Sequence, residues 1–256
     1  NEDGFGDWDC VGVPVLEGAN LLVIELDYDD EGVFEECSVV TLQGIFKPET
    51  KDDLEAAVDV WFNNNEAALA SYGDISEWDV SLITDMNKLF NEPCSFTEGN
   101  TFNENLSNWD VSNVTDMGRM FQNCEFFNND ISSWDVSSVE DMSYLFTGAI
   151  VFDQNISGWD VSNVIDMTAI FNGAHAFNQD ISGWNVSNVE NMSGMFYASQ
   201  FNQDISSWDV SSVTNFNGMF DLAYGIENSE ELQCAIHSSF SSNENWPYNW
   251  SENQDC

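Results

Sequence analysis

Apolar residues return along this chain at fixed intervals. They sit in the phrases EWDVS, NWDVS, SWDVS, GWDVS, GWNVS and SWDVS, anchored on Trp78, Trp109, Trp134, Trp159, Trp184 and Trp208. The steps between these tryptophans are 31, 25, 25, 25 and 24 residues. So regular a period predicts a solenoid, in which each repeat is a rung that buries its apolar side only against its neighbours. In the rung 127–149, Ile131, Trp134 and Val136 follow the pattern I-x-x-W-x-V. That pattern predicts a short strand with Trp134 and Val136 pointing inward and Asp135 outward, because strand side chains alternate. Val139, Met142, Leu145 and Phe146 then recur at i, i+3, i+6 and i+7, the spacing of one face of a short helix. Gly148 turns the chain, and Ala149 and Phe152 return it to the next rung.

The six rungs occupy residues 73–227, and the flanks differ in kind. Residues 48–72 predict a capping helix, with Pro48 near its start and Leu54, Ala57, Val58, Trp61 and Phe62 on one face. Residues 228–256 hold a helix-like stretch, NSEELQCAIHSSF, followed by the aromatic NWPYNWSENQDC, and read as a C-terminal cap. Exposed ends of a repeat stack need such covers. Residues 1–47 read either as a small acidic β-rich module or as the base of the N-terminal cap.

Charge changes the picture most. Forty-six Asp and Glu face four Lys and Arg, for a formal net charge of −42. Phosphate binding needs a basic footprint, so nucleic acid is not an expected partner. Divalent cations and cationic partners are. Hydrophobic residues at 43% and aromatics at 14% are too many for a disordered acidic tail, so the chain should fold. No apolar run is long enough to predict a membrane span. The chain begins at Asn1 without a methionine, which suggests a processed mature product or a trimmed chain.

Six cysteines fall into local pairs, Cys10 with Cys37, Cys94 with Cys124 and Cys234 with Cys256, one of fifteen connectivities. Cys94 and Cys124 hold nearly equivalent places in successive rungs, so stacking brings them together. Zinc is the rival use, but there is no CxxC and there are only two histidines. Disulfides imply an oxidising, extracellular compartment. Sequons at Asn105, Asn113, Asn155, Asn185, Asn191 and Asn249 are candidate N-glycosylation sites and agree with that location.

The string F-N-Q-D-I-S-x-W-D-V-S-x-V, at 201–213 and, with Asn185 in place of the Asp, at 177–189, resembles the bacterial surface protein A-like leucine-rich repeats, a domain of unknown function. The resemblance spans roughly residues 73–220, with Trp replacing the second leucine of L-x-x-L-x-L. It implies an α/β solenoid, a leucine-rich-repeat-like right-handed coil of short parallel strands and short helices. It also implies a secreted or surface protein used in adhesion, and it supplies no catalytic residues.

Outward on the expected strands lie Asp79, Asp110, Asp135, Asp160, Asn185 and Asp209, with Ser81, Ser112, Ser137, Ser162, Ser187 and Ser211 two residues on. Carboxylates ~4.8 Å apart repel by roughly 1 kcal/mol per pair at the permittivity of water, and by roughly 3–4 kcal/mol at an effective permittivity of about 20. Compensation would come from Ca²⁺ held by Asp79, Asp110, Asp135, Asp160 and Asp209, from a basic partner, or from serine hydroxyls and solvent. A second column runs Asp85, Asp116, Asp141, Asp166, Asn191, Asn215. In LDYDDEG, Asp27, Asp29, Asp30 and Glu31 form a weak local cluster. No G-x-S-x-G, H-E-x-x-H or phosphate loop is present, so no enzyme is predicted and no cofactor is required. The expected function is adhesion, or assembly of an extracellular structure, through the acidic face. Other surface or matrix proteins, or copies of the chain in a filament or coat, would be partners. A Ca²⁺-dependent ligand-binding module is the alternative.

Overall fold

The computed structural model of the protein describes residues 21–28, 34–42, 44–96 and 101–251. The chain divides into two compact units, 1–46 and 47–256. In the first, β1 (Leu21–Tyr28) and β2 (Phe34–Leu42) pair antiparallel, Leu21 opposite Leu42, with an irregularity at Asp27 and Tyr28.

The second unit starts with α1 (Lys51–Asn63). Thr50 caps it in a capping box: Asp53 N–H donates to the Thr50 hydroxyl, and Thr50 N–H donates to the Asp53 carboxylate. Leu54, Ala57, Val58 and Trp61 form its buried face. The single helix expected over 48–72 is broken at Asn64, whose side chain caps a second helix, α2 (Asn65–Tyr72), by accepting from Ala67 N–H. A 3₁₀ turn (Ile75–Glu77) leads into the first rung, and α3 (Asn91–Phe96) leaves it.

The rungs are not the α/β solenoid of parallel strands and helices that the spacing suggested. Between 101 and 223 no helix and no strand forms among the described residues, and parallel pairing is reduced to single bridges, Asp85–Asp116–Asp141–Asp166–Asn191–Asn215. Two features prevent regular elements. First, each rung from the second on bends left-handed twice. Arg119, Tyr144 and Ala169 have φ of 61°, 59° and 52°, and Asn123, Gly148 and Gly173 have φ of 63°, 70° and 67°. A left-handed residue ends a helix, so the Val139–Phe146 helix cannot run through Tyr144. Second, the apolar residues are the ends of consecutive β-turns. Trp134 N–H donates to Ile131 O, Val139 to Val136, Leu145 to Met142, Ala149 to Phe146 and Phe152 to Ala149, at 2.9–3.2 Å. A turn repeats its end residues at i and i+3, as one face of a helix does.

Rungs are joined by a directional ladder. Met117, Arg119, Phe121 and Asn123 donate their N–H groups to the carbonyls of Asp141, Ser143, Leu145 and Thr147 one rung on, at 2.7–3.0 Å. Inside, Phe121, Phe146, Phe171, Phe196 and Phe220 stack at 5.7–5.9 Å. Beside them Phe127, Phe152, Phe177 and Phe201 stack at 6.0–6.2 Å. The tryptophans form a third buried file, 2–4% exposed. From Trp109 to Trp208 each indole N–H donates to a carbonyl of the preceding rung, as Trp159 does to Ile131 O and Trp184 to Ile156 O, while Trp78 donates to Gly73 O. That bond satisfies the one polar group of an otherwise apolar file.

Because every rung donates to the next, the last rung is left with unpaired N–H groups. The C-terminal segment meets one of them, that of Phe220. After α4 (Tyr224–Glu227) and α5 (Glu230–Phe240), the Tyr248 hydroxyl accepts from Phe220 N–H at 2.8 Å and donates to Asp221 at 3.0 Å. Burial, above all, raises the Tyr248 phenol out of the titrating range. Trp246, Tyr248 and Trp250 cluster over Phe220. Tyr248→Phe keeps the ring and strands one buried donor, so it should cost roughly 1–2 kcal/mol in urea denaturation. An unchanged midpoint would show that the hydroxyl does not seal the ladder.

Cys94 and Cys124 are disulfide-bonded across the first two rungs. Cys234 on α5 is also disulfide-bonded. Cys10 and Cys256 lie outside the described residues, as does the side chain of Cys37. Asp29, Asp30 and Glu31 of the weak acidic cluster lie outside them too.

Candidate functional site

Each rung turns three polar corners outward, and the acidic residues sit at them. In the rung 127–149, Ser132 N–H donates to Asp130 Oδ1 at 2.9 Å, Ser137 to Asp135 at 3.0 Å and Ser143 to Asp141 at 2.7 Å. The motif Asp-x-Ser is therefore an Asx turn, in which the carboxylate takes the backbone donor two residues on. Sequence reasoning placed the Asp135 column on strands and the Asp141 column in first helical turns. Both columns are turn caps.

The column Asp79, Asp110, Asp135, Asp160, Asn185, Asp209 is held in file by bonds beside it. Asn113 Nδ2 donates to Ser81 O, Ser138 Oγ to Ser112 O, Asn163 Nδ2 to Ser137 O, Asn188 Nδ2 to Ser162 O and Ser212 Oγ to Ser187 O, at 2.6–3.0 Å. At each corner one oxygen, Oδ1, serves the turn, and the serine hydroxyl joins it at Asp79, Asp110, Asp135 and Asn185. These serine bonds, from hydroxyl first and backbone second, hold Asp135, Asp160 and Asp209 below the ordinary carboxylate range. At Asp160 the Asp135 carboxylate pushes weakly the other way, the repulsion expected between neighbours in a file.

Charge is not what makes the turn. Asn185 fills the same corner, accepting from Ser187 N–H at 3.3 Å and its hydroxyl at 2.8 Å. Asn155 does the same in the Asp130 column, and Asn191 and Asn215 in the Asp141 column. The chain thus carries its own amide substitutions, and they fold identically.

One corner holds a cation. Lys47 Nζ lies 2.7 Å from Asp79 Oδ2 and 3.1 Å from Ser81 Oγ, so the ammonium takes the oxygen that the turn leaves over. Asp79 is accordingly lowered to about 2, by Lys47 first and Ser81 second. Its contribution to stability is present above the unfolded value of 3.8 and fades as pH falls through about 2. Lys51 makes the matching contact on the other column, 2.7 Å from Asp85 Oδ1. Arg119 lies over the Tyr144 ring at 4.8 Å. Sequence reasoning missed the two lysine contacts, whose signal was that Lys47 and Lys51, two of the four cationic residues of the chain, stand at the start of the segment that caps the first rung.

The calcium reading fares less well. A Ca²⁺ site gathers six to eight oxygens. Here each corner offers one spare carboxylate oxygen per rung, and no three His, Cys, Asp or Glu side chains converge among the described residues.

Of the sequons, Asn105, Asn155, Asn185 and Asn249 are exposed, each with Oδ1 engaged by the serine of its own sequon. Asn113 is exposed, but its amide nitrogen forms a rung-to-rung bond, and Asn191 is half-buried in the bridge ladder. The motif FNQD also has a role that sequence reasoning left unassigned. Asn128, Asp153, Asn178 and Asn202 each receive the side-chain oxygen of the preceding rung on their backbone N–H, forming a fourth file.

No helix of the described residues is long and apolar enough to cross a membrane. No curated protein and no solved structure is significantly similar to the chain. One family model matches, described as Mycoplasma protein of unknown function, DUF285, over residues 56–164 and again over 129–233. Its description names neither leucine-rich repeats nor a cell surface. The two matches overlap within the Trp-Asp-Val-Ser repeats and together take in the whole stacked region after α1, so the chain belongs to this family of repeat proteins of unknown function.

Proposed function

We propose that the chain is an extracellular, non-catalytic repeat protein that adheres to, or helps assemble, a cell-surface or extracellular structure. Its contact face is the Asp110–Asp135–Asp160 file, and its partner is cationic. The observation that carries this reading is Lys47, an ammonium seated on the first corner of the file. The following corners repeat the same Asp and Ser atoms without a lysine of this chain upon them. Two facts support it further. The carboxylate is replaceable by an amide without loss of the turn, so its charge is available for recognition. A disulfide-bonded Cys94–Cys124 pair suits an oxidising compartment.

An Asp110→Asn plus Asp135→Asn variant tests it. Both changes create an Asn-x-Ser sequence, so the protein is made in a bacterial host that adds no glycan. Binding to an immobilised octalysine peptide at low salt should weaken roughly 2- to 30-fold, two exposed ion pairs at about 0.2–1 kcal/mol each. The Asp59→Asn plus Glu66→Gln variant carries the same net charge away from the file and should bind as the parent does. Equal losses in the two variants would reduce the effect to bulk charge and sink the proposal.

A further inference from the structure

The last rung has no successor, and that changes the chemistry of one peptide unit. In the five rungs before it, the N–H at the first left-handed position is donated to the following rung. Lys88 donates to Gly118 O, Arg119 to Ser143 O, Tyr144 to Thr168 O, Ala169 to Ser193 O and Gly194 to Asn217 O, at 2.7–2.9 Å. Gly218 holds this position in the last rung with φ of 65°, and its N–H meets no acceptor among the described residues. The residue before it is Asn217, which is exposed. In the first rung the equivalent Asn87 spends its Nδ2 on Asp116 Oδ1 at 3.2 Å, whereas the Asn217 carboxamide makes no such bond among the described residues.

We propose that Asn217–Gly218 is a site of spontaneous deamidation through a cyclic imide, and that the product unlatches the last rung. The Gly218 nitrogen attacks Asn217 Cγ. A new N–Cγ bond closes a succinimide ring, the Cγ–Nδ2 bond breaks, and ammonia leaves with the proton that the glycine nitrogen gives up. Water then reopens the ring, to aspartate when it adds at Cγ and to isoaspartate when it adds at the backbone carbonyl. Nothing is oxidised or reduced, and water is the co-reactant.

The chain carries its own control. Asn172–Gly173 lies in the same tripeptide, Phe-Asn-Gly, and Gly173 is left-handed too, with φ of 67°. Its N–H, however, is bound to Tyr197 O at 2.9 Å and must leave that acceptor before its nitrogen can attack. Such openings are rare inside a cooperative ladder. The fold does not demand the reactive pair at the last rung. Lys88, Arg119, Tyr144 and Ala169 take the Gly218 position elsewhere, and Gly118, Ser143, Thr168 and Ser193 take that of Asn217. Isoaspartate adds a methylene to the main chain and turns the Asn217 carbonyl, the acceptor of Gly194 N–H, into a free carboxylate. It also displaces Gly218, whose carbonyl accepts from Asp221 N–H at 3.2 Å. Asp221 in turn holds the Tyr248 hydroxyl that meets Phe220 N–H, so the lesion reaches the C-terminal seal.

The full chain is incubated in mildly alkaline buffer, folded and in parallel unfolded in urea, and mapped by mass spectrometry with fragmentation that separates isoaspartate from aspartate. In the folded chain Asn217 should convert at least about tenfold faster than Asn172, because only Gly173 must first open. In urea the two should convert alike. Gly218→Ala, for which Ala169 is the folded precedent, should slow conversion at Asn217, and Asn217→Ser, for which Ser143 and Ser193 are precedents, should abolish it. Hydrogen exchange should show the Phe220 amide losing protection in the converted chain and keeping it in Asn217→Ser after the same incubation. Equal rates at the two sites of the folded chain, or a slower rate at Asn217, would overturn the inference. So would conversion that leaves Phe220 as protected as in Asn217→Ser.

Discussion

Replacing Phe171 with alanine should lower the unfolding free energy by roughly 3–5 kcal/mol and split one unfolding transition into two. Phe171 is fully buried and lies at the middle of the paired phenylalanine files. It stacks on Phe146 at 5.9 Å, on Phe196 at 5.8 Å and on Phe177 at 3.9 Å, and it touches Trp184 at 6.2 Å. Removing the ring leaves a cavity that the rigid rungs above and below cannot close, because the backbone ladder fixes their separation. Phe171 N–H donates to Met195 O, and Phe146 N–H donates to Ile170 O. Repeat stacks hold together through nearest-neighbour interfaces, so a weak central interface uncouples the two halves. Urea denaturation followed by tryptophan fluorescence reads both halves, since Trp78 to Trp134 precede the lesion and Trp184 to Trp250 follow it. A single transition with an unchanged midpoint would mean that the phenylalanine files do not carry the stability of the stack.

Those files are also where sequence reasoning succeeded most directly. A side chain that recurs every 25 positions must meet its own copy in a stack, and the Trp, Phe and Met columns of 73–220 are all buried. Secondary structure was less legible for a specific reason. Val139, Met142 and Leu145 repeat at three-residue steps, a spacing that a helix and a chain of β-turns share. What separates them is backbone sign, which glycine marks only in part, at Gly148, Gly173, Gly194 and Gly218. Lys88, Arg119, Tyr144 and Ala169 occupy the other rungs' copies of the Gly194 and Gly218 position, with φ between 52° and 64°. Each non-glycine residue there costs roughly 1–2 kcal/mol locally, which the rung-to-rung bonds on either side offset.

The acidic file was legible as a file but not as a set of turn caps. Asp-x-Ser appears on the page as an exposed charge near a hydroxyl. Its bond to the backbone two residues on emerges only when the chain is known to turn there. Asn185, Asn191 and Asn215, which continue the acidic columns, are the clue that the oxygen rather than the charge is required. The partners of the end rungs were hidden for another reason. Lys47 and Tyr248 act once each, Lys47 on a corner whose later copies meet no lysine and Tyr248 on a donor that other rungs pair with a neighbour, so no periodicity marks them.

The covalent staple should show the opposite signature to the Phe171 lesion. Cys94 and Cys124 are 30 residues apart and close the interval in which the repeat runs to 31 residues instead of 25. Closing a loop of that length removes chain entropy from the unfolded state equivalent to roughly 3–4 kcal/mol. Cys94→Ala plus Cys124→Ala should therefore lose about that amount while the rungs keep their contacts. The loss should appear as one transition moved to lower urea, with an unchanged native spectrum. The paired substitution is a cleaner probe than a reducing agent, because Cys234 is disulfide-bonded as well and would be opened at the same time. A loss under 1 kcal/mol would mean that the 91–96 helix and the Phe62, Phe90 and Phe102 contacts already confine this segment, leaving the bond little to restrain.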